Sequence, residues 1–303
     1  MWLGAHLGIA DGLPNAAHEA RRIGCESLQI FSKSPQMWSG PPIAPAAAEE
    51  FRAAVGAEGL RATAVHHGYL ANLGSPKAFV LRRSRTAFLD EVRRADLLGV
   101  DGLIFHPGAH LKSGADAGLR TIAESLRHVV EELPESRVRL LLENAAGQGT
   151  TLGSTFEELD SVLHQVDRPD RLGVTLDTCH LFAAGCDFRD DRGYGELVDR
   201  VDSVLGLPTV RAFHLNDAKA DLGSHLDRHE NIGKGQIGLD GFRHLVNDPR
   251  WAETPGYLET PLDEHDYARY AADLRTLRSL IGSGAARAPV PARRGARRGS
   301  TVK

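Results

Sequence analysis

The chain has 303 residues, 42% of them hydrophobic, and a net charge of −4. This is enough apolar material for one large α/β domain or two smaller ones, and the mild acidity gives no support to binding of polyanions by bulk charge alone. No apolar run approaches the roughly 20 residues of a membrane helix, and the start Met1-Trp2-Leu3-Gly4-Ala5-His6 lacks the charged and apolar regions of a signal peptide.

Taken from the N-terminus, short apolar runs predict strands over residues 3–7, 27–32, 62–66, 102–106, 138–143, 172–177, 211–215 and 256–260, with helical patterns between them. Most are continuous apolar runs, as parallel strands covered on both faces require. Ser75-Pro76 predicts a helix start, as an N-cap followed by proline at the first helical position. Leu81, Phe88, Val92, Ala95 and Leu98 form the apolar face of that helix, and Gly99 stops it. Arg82, Arg83, Arg85, Arg93 and Arg94 are expected on its solvated face. A last helix over 263–281 carries Tyr267, Tyr270, Leu274, Leu277 and Ile281 at spacings of 3, 4, 3 and 4.

Eight strands alternating with helices over about 280 residues have the rhythm of a TIM (β/α)8 barrel, here a single domain over 1–281. A doubly wound open sheet is the competitor. From 282 to 303 the composition changes to Ala, Pro, Gly and Arg without apolar periodicity, which predicts a disordered tail. That tail holds Arg287, Arg293, Arg294, Arg297, Arg298 and Lys303 and no acid. It reads as a solubilising extension, or as a loose anchor for a phosphate backbone.

Six of the apolar runs end in a side chain that binds metal: His66, His106, Glu143, Asp177, His214 and Glu259. His180 follows one helical turn after Asp177, and Asp227 and His229 follow His214. A buried strand has no reason to finish in an unpaired imidazole or carboxylate, because burying one is costly. In a closed barrel these ends converge on one mouth; in an open sheet they would be strung along an edge. The ligand positions therefore favour the barrel.

Five imidazoles and four carboxylates without a thiolate point to zinc, or to manganese, cobalt or iron. Nine side chains exceed the needs of one ion. With one bridging carboxylate they provide three ions with three or four ligands each and leave positions open, as catalytic sites do. Glu143 ends a central strand and is the natural bridge. Asp177 and His180 point the same way if a turn starts at Asp177, and Asp227 and His229 share one side of an extended loop. His67, His110, His225 and His244 are expected to be ordinary polar residues, Cys179 to pack inward, and His6 to sit beneath a ligand. Cys25, Cys179 and Cys186 are too few and too scattered for a disulfide framework, which suits a reducing cytoplasm.

Longer motifs surround these residues. They are His66-His67-Gly68-Tyr69 with Asn72-Leu73-Gly74, Phe105-His106-Pro107-Gly108, Glu143-Asn144-Ala145-Ala146-Gly147-Gln148-Gly149, Leu176-Asp177-Thr178-Cys179-His180 with Phe182-Ala183-Ala184-Gly185, His214-Leu215-Asn216-Asp217-Ala218-Lys219, Asp227-Arg228-His229-Glu230 and Leu258-Glu259-Thr260. Together they resemble the endonuclease IV family of apurinic/apyrimidinic endonucleases, from about Gly4 to Ile281. The resemblance implies a TIM barrel with three zinc ions that cleaves double-stranded DNA 5′ to an abasic site, leaving a 3′-hydroxyl and a 5′-deoxyribose phosphate. Manganese at one of the three sites is compatible with it. It also implies that His66, His106 and Glu143 hold the first ion. Glu143 bridges to a second held by Asp177, His214 and Glu259, and His180, Asp227 and His229 hold the third.

Tyr69 matches the family tyrosine that contacts DNA near the flipped-out lesion. Many members carry an arginine where Gln36 stands; Gln36 keeps length and hydrogen bonding but gives up charge. Lys33, Lys219, Arg228 and Lys234 lie in loops after the second and seventh strands, within reach of flanking phosphates. Gly233-Lys234-Gly235 is not a phosphate-cradling loop, because the helix-opening Lys-Ser/Thr pair is absent. The chemistry needs a nucleophile at neutral pH and neutralisation of a charged transition state, which clustered zinc ions supply with Glu143 orienting the attack. The alternative is a divalent-metal sugar isomerase or epimerase on the same barrel, which needs only one or two ions. A non-cutting lesion marker is a further alternative. No exposed heptad or edge strand suggests a partner subunit, so a monomer is expected.

Overall fold

The computed structural model describes residues 1–263 and 267–282. The expected tail, from 283 on, lies outside the described residues, as do residues 264–266 of the expected last helix. In chain order the strands are β1 (Trp2–Leu7), β2 (Ser27–Phe31), β3 (Ala62–His66), β4 (Gly102–Phe105), β5 (Arg139–Glu143), β6 (Leu172–Asp177), β7 (Val210–His214), β8 (Asp217–Ala218), β9 (His229–Glu230) and β10 (Pro255–Leu258). The helices are α1 (Leu13–Arg22), α2 (Pro45–Ala57), α3 (Ala78–Leu98), α4 (Ala115–Glu132), α5 (Phe156–Val166), α6 (Thr178–Ala183), α7 (Asp191–Val204), α8 (Gly238–Asn247) and α9 (Ala268–Ser279).

Eight parallel strands close in the order β1-β10-β7-β6-β5-β4-β3-β2. The expected TIM barrel is thus borne out, and the open sheet is not. The closure joins Trp2 to Pro255 and Ala5 to Leu258, and the Met1 ammonium donates to the Ala252 carbonyl at 2.8 Å. β8 and β9 stand outside the barrel as a two-residue antiparallel pair, Ala218 against His229. They were not expected, because two residues carry no readable period.

Alternation along each strand sets what points where. Ala64, Ile104, Leu141, Ala212 and Tyr257 form a separate buried cluster inside the barrel. The residue two positions further along in each case is His66, His106, Glu143, His214 or Glu259. The apolar plug and the ligand tier are therefore neighbouring layers of one inward-facing register. The outward residues, such as Leu140, Leu142, Val174 and Leu176, pack under the helices in the main core. Each fully buried leucine or valine contributes roughly 1.5–3 kcal/mol relative to exposure.

Two expectations about α3 need correction. The helix starts at Ala78, because Ser75 Oγ accepts from Lys77 N at 3.2 Å and Lys77 is extended (φ −83°, ψ 107°). Ser75 caps a turn rather than the helix. The basic face is also not uniformly solvated. Arg94 is buried, and Arg85 is half-buried with its Nε on Ser125 Oγ at 2.9 Å. Gly99 does end the helix, in the left-handed conformation at φ 69°.

Candidate metal centre

The nine expected ligands come together at the C-terminal mouth of the barrel. Donor atoms of His66, His106 and Glu143 lie within 4.8 Å of one another, as do those of Glu143, Asp177, His214 and Glu259, and those of His180, Asp227 and His229. Glu143 is fully buried and belongs to two of these groups. Its Oε2 faces His66 Nε2 at 3.1 Å and His106 Nε2 at 3.7 Å, while its Oε1 faces His214 Nδ1 at 2.9 Å. One oxygen serves each group, as a bridging carboxylate requires.

Local structure explains the spacing of Asp177 and His180. Asp177 ends β6 and caps α6, its Oδ1 accepting from His180 N at 2.9 Å. Its Oδ2 stays turned to the site, 3.7 Å from both His214 Nδ1 and His229 Nε2. Asp227 and His229 share one side, as their spacing predicts, with His229 Nε2 3.2 Å from Asp227 Oδ1.

Backbone carbonyls select which imidazole nitrogen is offered. His66 Nδ1 lies 2.8 Å from the His67 carbonyl, His180 Nδ1 2.9 Å from that of Asn144, and His229 Nδ1 3.0 Å from that of Glu259. Each contact requires the proton on Nδ1 and leaves the Nε2 lone pair for a ligand. His214 is turned the other way. Its Nε2 lies 2.9 Å from Gln29 Oε1, so Nδ1 is the nitrogen offered. The Nε2 atoms of His180 and His229 are buried without a hydrogen-bond partner. Both approach Asp227 at 3.2 Å but off the line that a hydrogen bond needs. Donors aimed past one another at a common point fit a shared cation, and the N/O donor set fits zinc.

Charge tells the same story. Burial lowers the imidazole of His214, but Glu259, Glu143 and Asp177 outweigh it and raise it to about 9. For His229, burial is likewise outweighed, by Asp227 and Asp177, and it rises to about 9. Burial raises the carboxyls of Glu143 and Asp227, yet the surrounding histidines hold both well below the usual range. Without metal, protons on imidazole do the neutralising that cations would do.

Several residues here escaped sequence reasoning. Gln29 sits fully buried in β2 and donates from Nε2 to Glu259 Oε1 at 2.6 Å. Asn216 donates to Asp177 Oδ2 at 2.7 Å and accepts from Glu259 N at 2.9 Å. Asn144 Oδ1 accepts from Asp177 N at 2.6 Å. An amide inside an apolar run, as in Ser27-Leu28-Gln29-Ile30-Phe31, was the available signal. His6 lies beneath Glu259 as expected, Nδ1 to Oε1 at 3.1 Å. The four histidines set aside as ordinary polar residues are absent from the ligand groups of the described residues. Cys179 packs inward; its Sγ is near Asp177 and His229, but burial pushes the thiol up to about 12 and it donates to the Arg228 carbonyl.

Around the mouth, Tyr69 is 65% exposed and Gln36, Lys219, Arg228 and Lys234 are exposed. Lys33 is a correction. Its side chain is 5% exposed and its ammonium pairs with Glu91, so it is not free to meet a phosphate. The Gly233-Lys234-Gly235 segment is also spoken for. Gly233 N and Gly235 N donate to Asp217 Oδ2 at 2.9 and 3.0 Å, and Ile237 N donates to Asp217 Oδ1 at 2.9 Å. A buried carboxylate fills the place that an incoming anion would take in a phosphate-binding nest.

Comparison with known proteins agrees with this geometry. The family model of the xylose isomerase-like TIM barrel matches residues 17–280. A protein of Chlorobium luteolum named "Probable endonuclease 4" is 45% identical over 281 residues, covering 92% of this chain and 99% of that one. The crystal structure of endonuclease IV from Thermus thermophilus is 34% identical, with a TM-score of 0.82 over 92% of this chain and 98% of that chain. A D-psicose 3-epimerase from Clostridium cellulolyticum superposes with a TM-score of 0.69 at 17% identity, a likeness of fold alone.

Proposed function

The chain belongs to the endonuclease IV family of apurinic/apyrimidinic endonucleases, and we propose that it hydrolyses the phosphodiester 5′ to an abasic site in duplex DNA, leaving a 3′-hydroxyl and a 5′-deoxyribose phosphate. The observation that carries the reading is the size of the ligand set. Nine side chains in three groups, two of which share Glu143, exceed what the one or two ions of a sugar isomerase need.

His66, His106 and Glu143 would hold the first of three zinc ions, with Glu143 shared by a second that Asp177, His214 and Glu259 complete. His180, Asp227 and His229 would hold the third. Bound there, the ions supply a nucleophile at neutral pH and neutralise charge building on the phosphate. The chain's own residues do the rest. Glu143, between two groups, orients the attack. Asn216, Asn144 and Gln29 keep the carboxylates and His214 from turning away. Tyr69 and Gln36 meet the duplex beside an extruded sugar, and a missing base makes that extrusion easier. Lys219 and Arg228 meet flanking phosphates. Manganese in place of one zinc suits the mixed imidazole and carboxylate donors.

One chain brings all nine side chains together, so the site needs no second subunit, and a monomer is the proposed state. Three unpaired cysteines suit a reducing cytoplasm, and among the described residues no helix is long and apolar enough to cross a membrane. The nuclease domain spans 1–281, followed by the basic tail. Metal content and cleavage of a synthetic abasic duplex, before and after exhaustive chelation, test the reading. Close to three zinc per chain and cleavage that chelation abolishes are expected. About one metal per chain with turnover of a ketose would overturn it.

A further inference from the structure

Away from the metal ligands, the least expected feature is a set of buried charges under the loop that follows β2. Lys33, Glu91 and Arg94 are 8%, 1% and 7% exposed. Glu91 and Arg94 are on the inner face of α3, and Glu91 accepts from both Ser32 Oγ and the Lys33 ammonium. Asp90 Oδ2 stands 3.6 Å from the same ammonium. Arg94 donates to Ser32 Oγ at 2.7 Å, to the Ser32 carbonyl at 2.7 Å and to the Pro41 carbonyl at 2.9 Å. Both ends of the 32–41 loop are therefore tied to one helix. Its middle is held as well, with the Arg83 guanidinium 4.6 Å over the Trp38 ring.

This loop is coupled to a second one. Tyr69 N donates to the Pro35 carbonyl at 3.2 Å. Gly68 lies so close that an added Cβ would fall 2.7 Å from that oxygen. Exposed apolar side chains stand on both loops: Met37 at 53%, Tyr69 at 65% and Leu70 at 40%. The Tyr69 ring is 5.7 Å from Phe31 and 6.4 Å from His66, at the edge of the ligand tier.

Buried ion pairs are poor sources of stability compared with apolar packing, so their presence asks for another reason. Opening a duplex with apolar wedges requires a rigid surface, since unstacking a base step is unfavourable and a loose loop yields instead. We propose that Lys33, Glu91 and Arg94 are positioning residues that lock the 32–41 and 67–71 loops into one rigid wedge, and that recognition of the lesion depends on this lock. The inference rests on the endonuclease reading for its substrate, but not for its mechanics.

The test uses the zinc-loaded full chain, with Arg94→Lys, Glu91→Gln and Arg83→Ala beside the parent. Hydrogen exchange at the Tyr69 amide reads the lock without any substrate, and KM and kcat on an abasic duplex read its use. Arg94→Lys and Glu91→Gln are expected to speed Tyr69 exchange at least about ten-fold and to raise KM about ten-fold, with zinc content and kcat close to the parent. Arg83→Ala, a change on an exposed face that leaves the buried charges intact, is expected to raise KM about three-fold. Parent-like exchange and KM in all folded variants would overturn the proposal, as would an equal loss in kcat and zinc content. If the buried-site variants do not fold, Ser32→Ala, which removes the hydroxyl between Glu91 and Arg94 and keeps the charges, decides by the same two readouts. A parent that leaves abasic DNA uncut sinks the endonuclease reading, and Tyr69 exchange still judges the lock.

Discussion

Gln29→Leu isolates one part of the metal centre from the rest. The amide bridges His214 Nε2 at 2.9 Å, Glu259 Oε1 at 2.6 Å and His6 Nδ1 at 2.8 Å. Leucine has similar bulk and none of these hydrogen bonds. His214 would lose the acceptor that keeps its proton on Nε2, and its ring would be free to turn or to change tautomer. Removing such a partner typically lowers metal affinity about 10- to 100-fold, or about 1.4 to 2.7 kcal/mol. Stepwise zinc titration against a chromophoric chelator resolves the effect. On the proposed assignment, the ion that His214 and Glu259 would hold should leave first, while the others keep parent affinity. Cleavage should fall with that ion and recover in excess zinc. A titration curve superimposable on the parent would refute the claim that Gln29 sets the imidazole.

Glu143→Gln should abolish cleavage and leave duplex binding in gel shift, because it removes the shared oxygen charge and not the reading surface; cutting at the parent rate would show that the bridge is elsewhere. His214 and His229 are raised to about 9, so at pH 7.5 the metal-free protein carries protons that zinc must displace. Calorimetry in two buffers of different ionisation enthalpy should report release of at least two protons on loading, and equal heats would contradict it. By linkage, these raised values make the metal-free fold lose stability as pH climbs from about 6.5 through about 9, which thermal melts across that range can check. Gln36→Arg should tighten duplex binding and steepen its salt dependence by about one unit of slope; an unchanged slope would place residue 36 off the DNA.

Much of the barrel and its ligand tier was legible because both follow from a period of two. A continuous apolar run such as Leu140-Leu141-Leu142 announces a covered strand, and its end announces the mouth. The donor groups needed the closed fold to bring residues 66 and 259 together, and their proposed sharing-out among ions came from the family resemblance. What stayed hidden has a common cause. Gln29, Asn144 and Asn216 act through hydrogen bonds to residues far away in sequence, and an amide in or just after a strand looks the same whether or not it finds such partners. Lys33 misled for the same reason, since its partner Glu91 is 58 positions away and nothing local distinguishes a paired ammonium from a free one. Arg94 shared a helix period with solvated arginines, and only the path of the 32–41 loop made its position an interior one.

The plug of Ala64, Ile104, Leu141, Ala212 and Tyr257 has a consequence for what can react. It makes the barrel a cup with a sealed floor and not a tube. A polymer cannot thread through such a vessel; it can only lie across the rim and dip one protruding unit inside. Hydrocarbon that touches no substrate thus sets the floor of the site, and whatever enters at the rim must depart by the way it came.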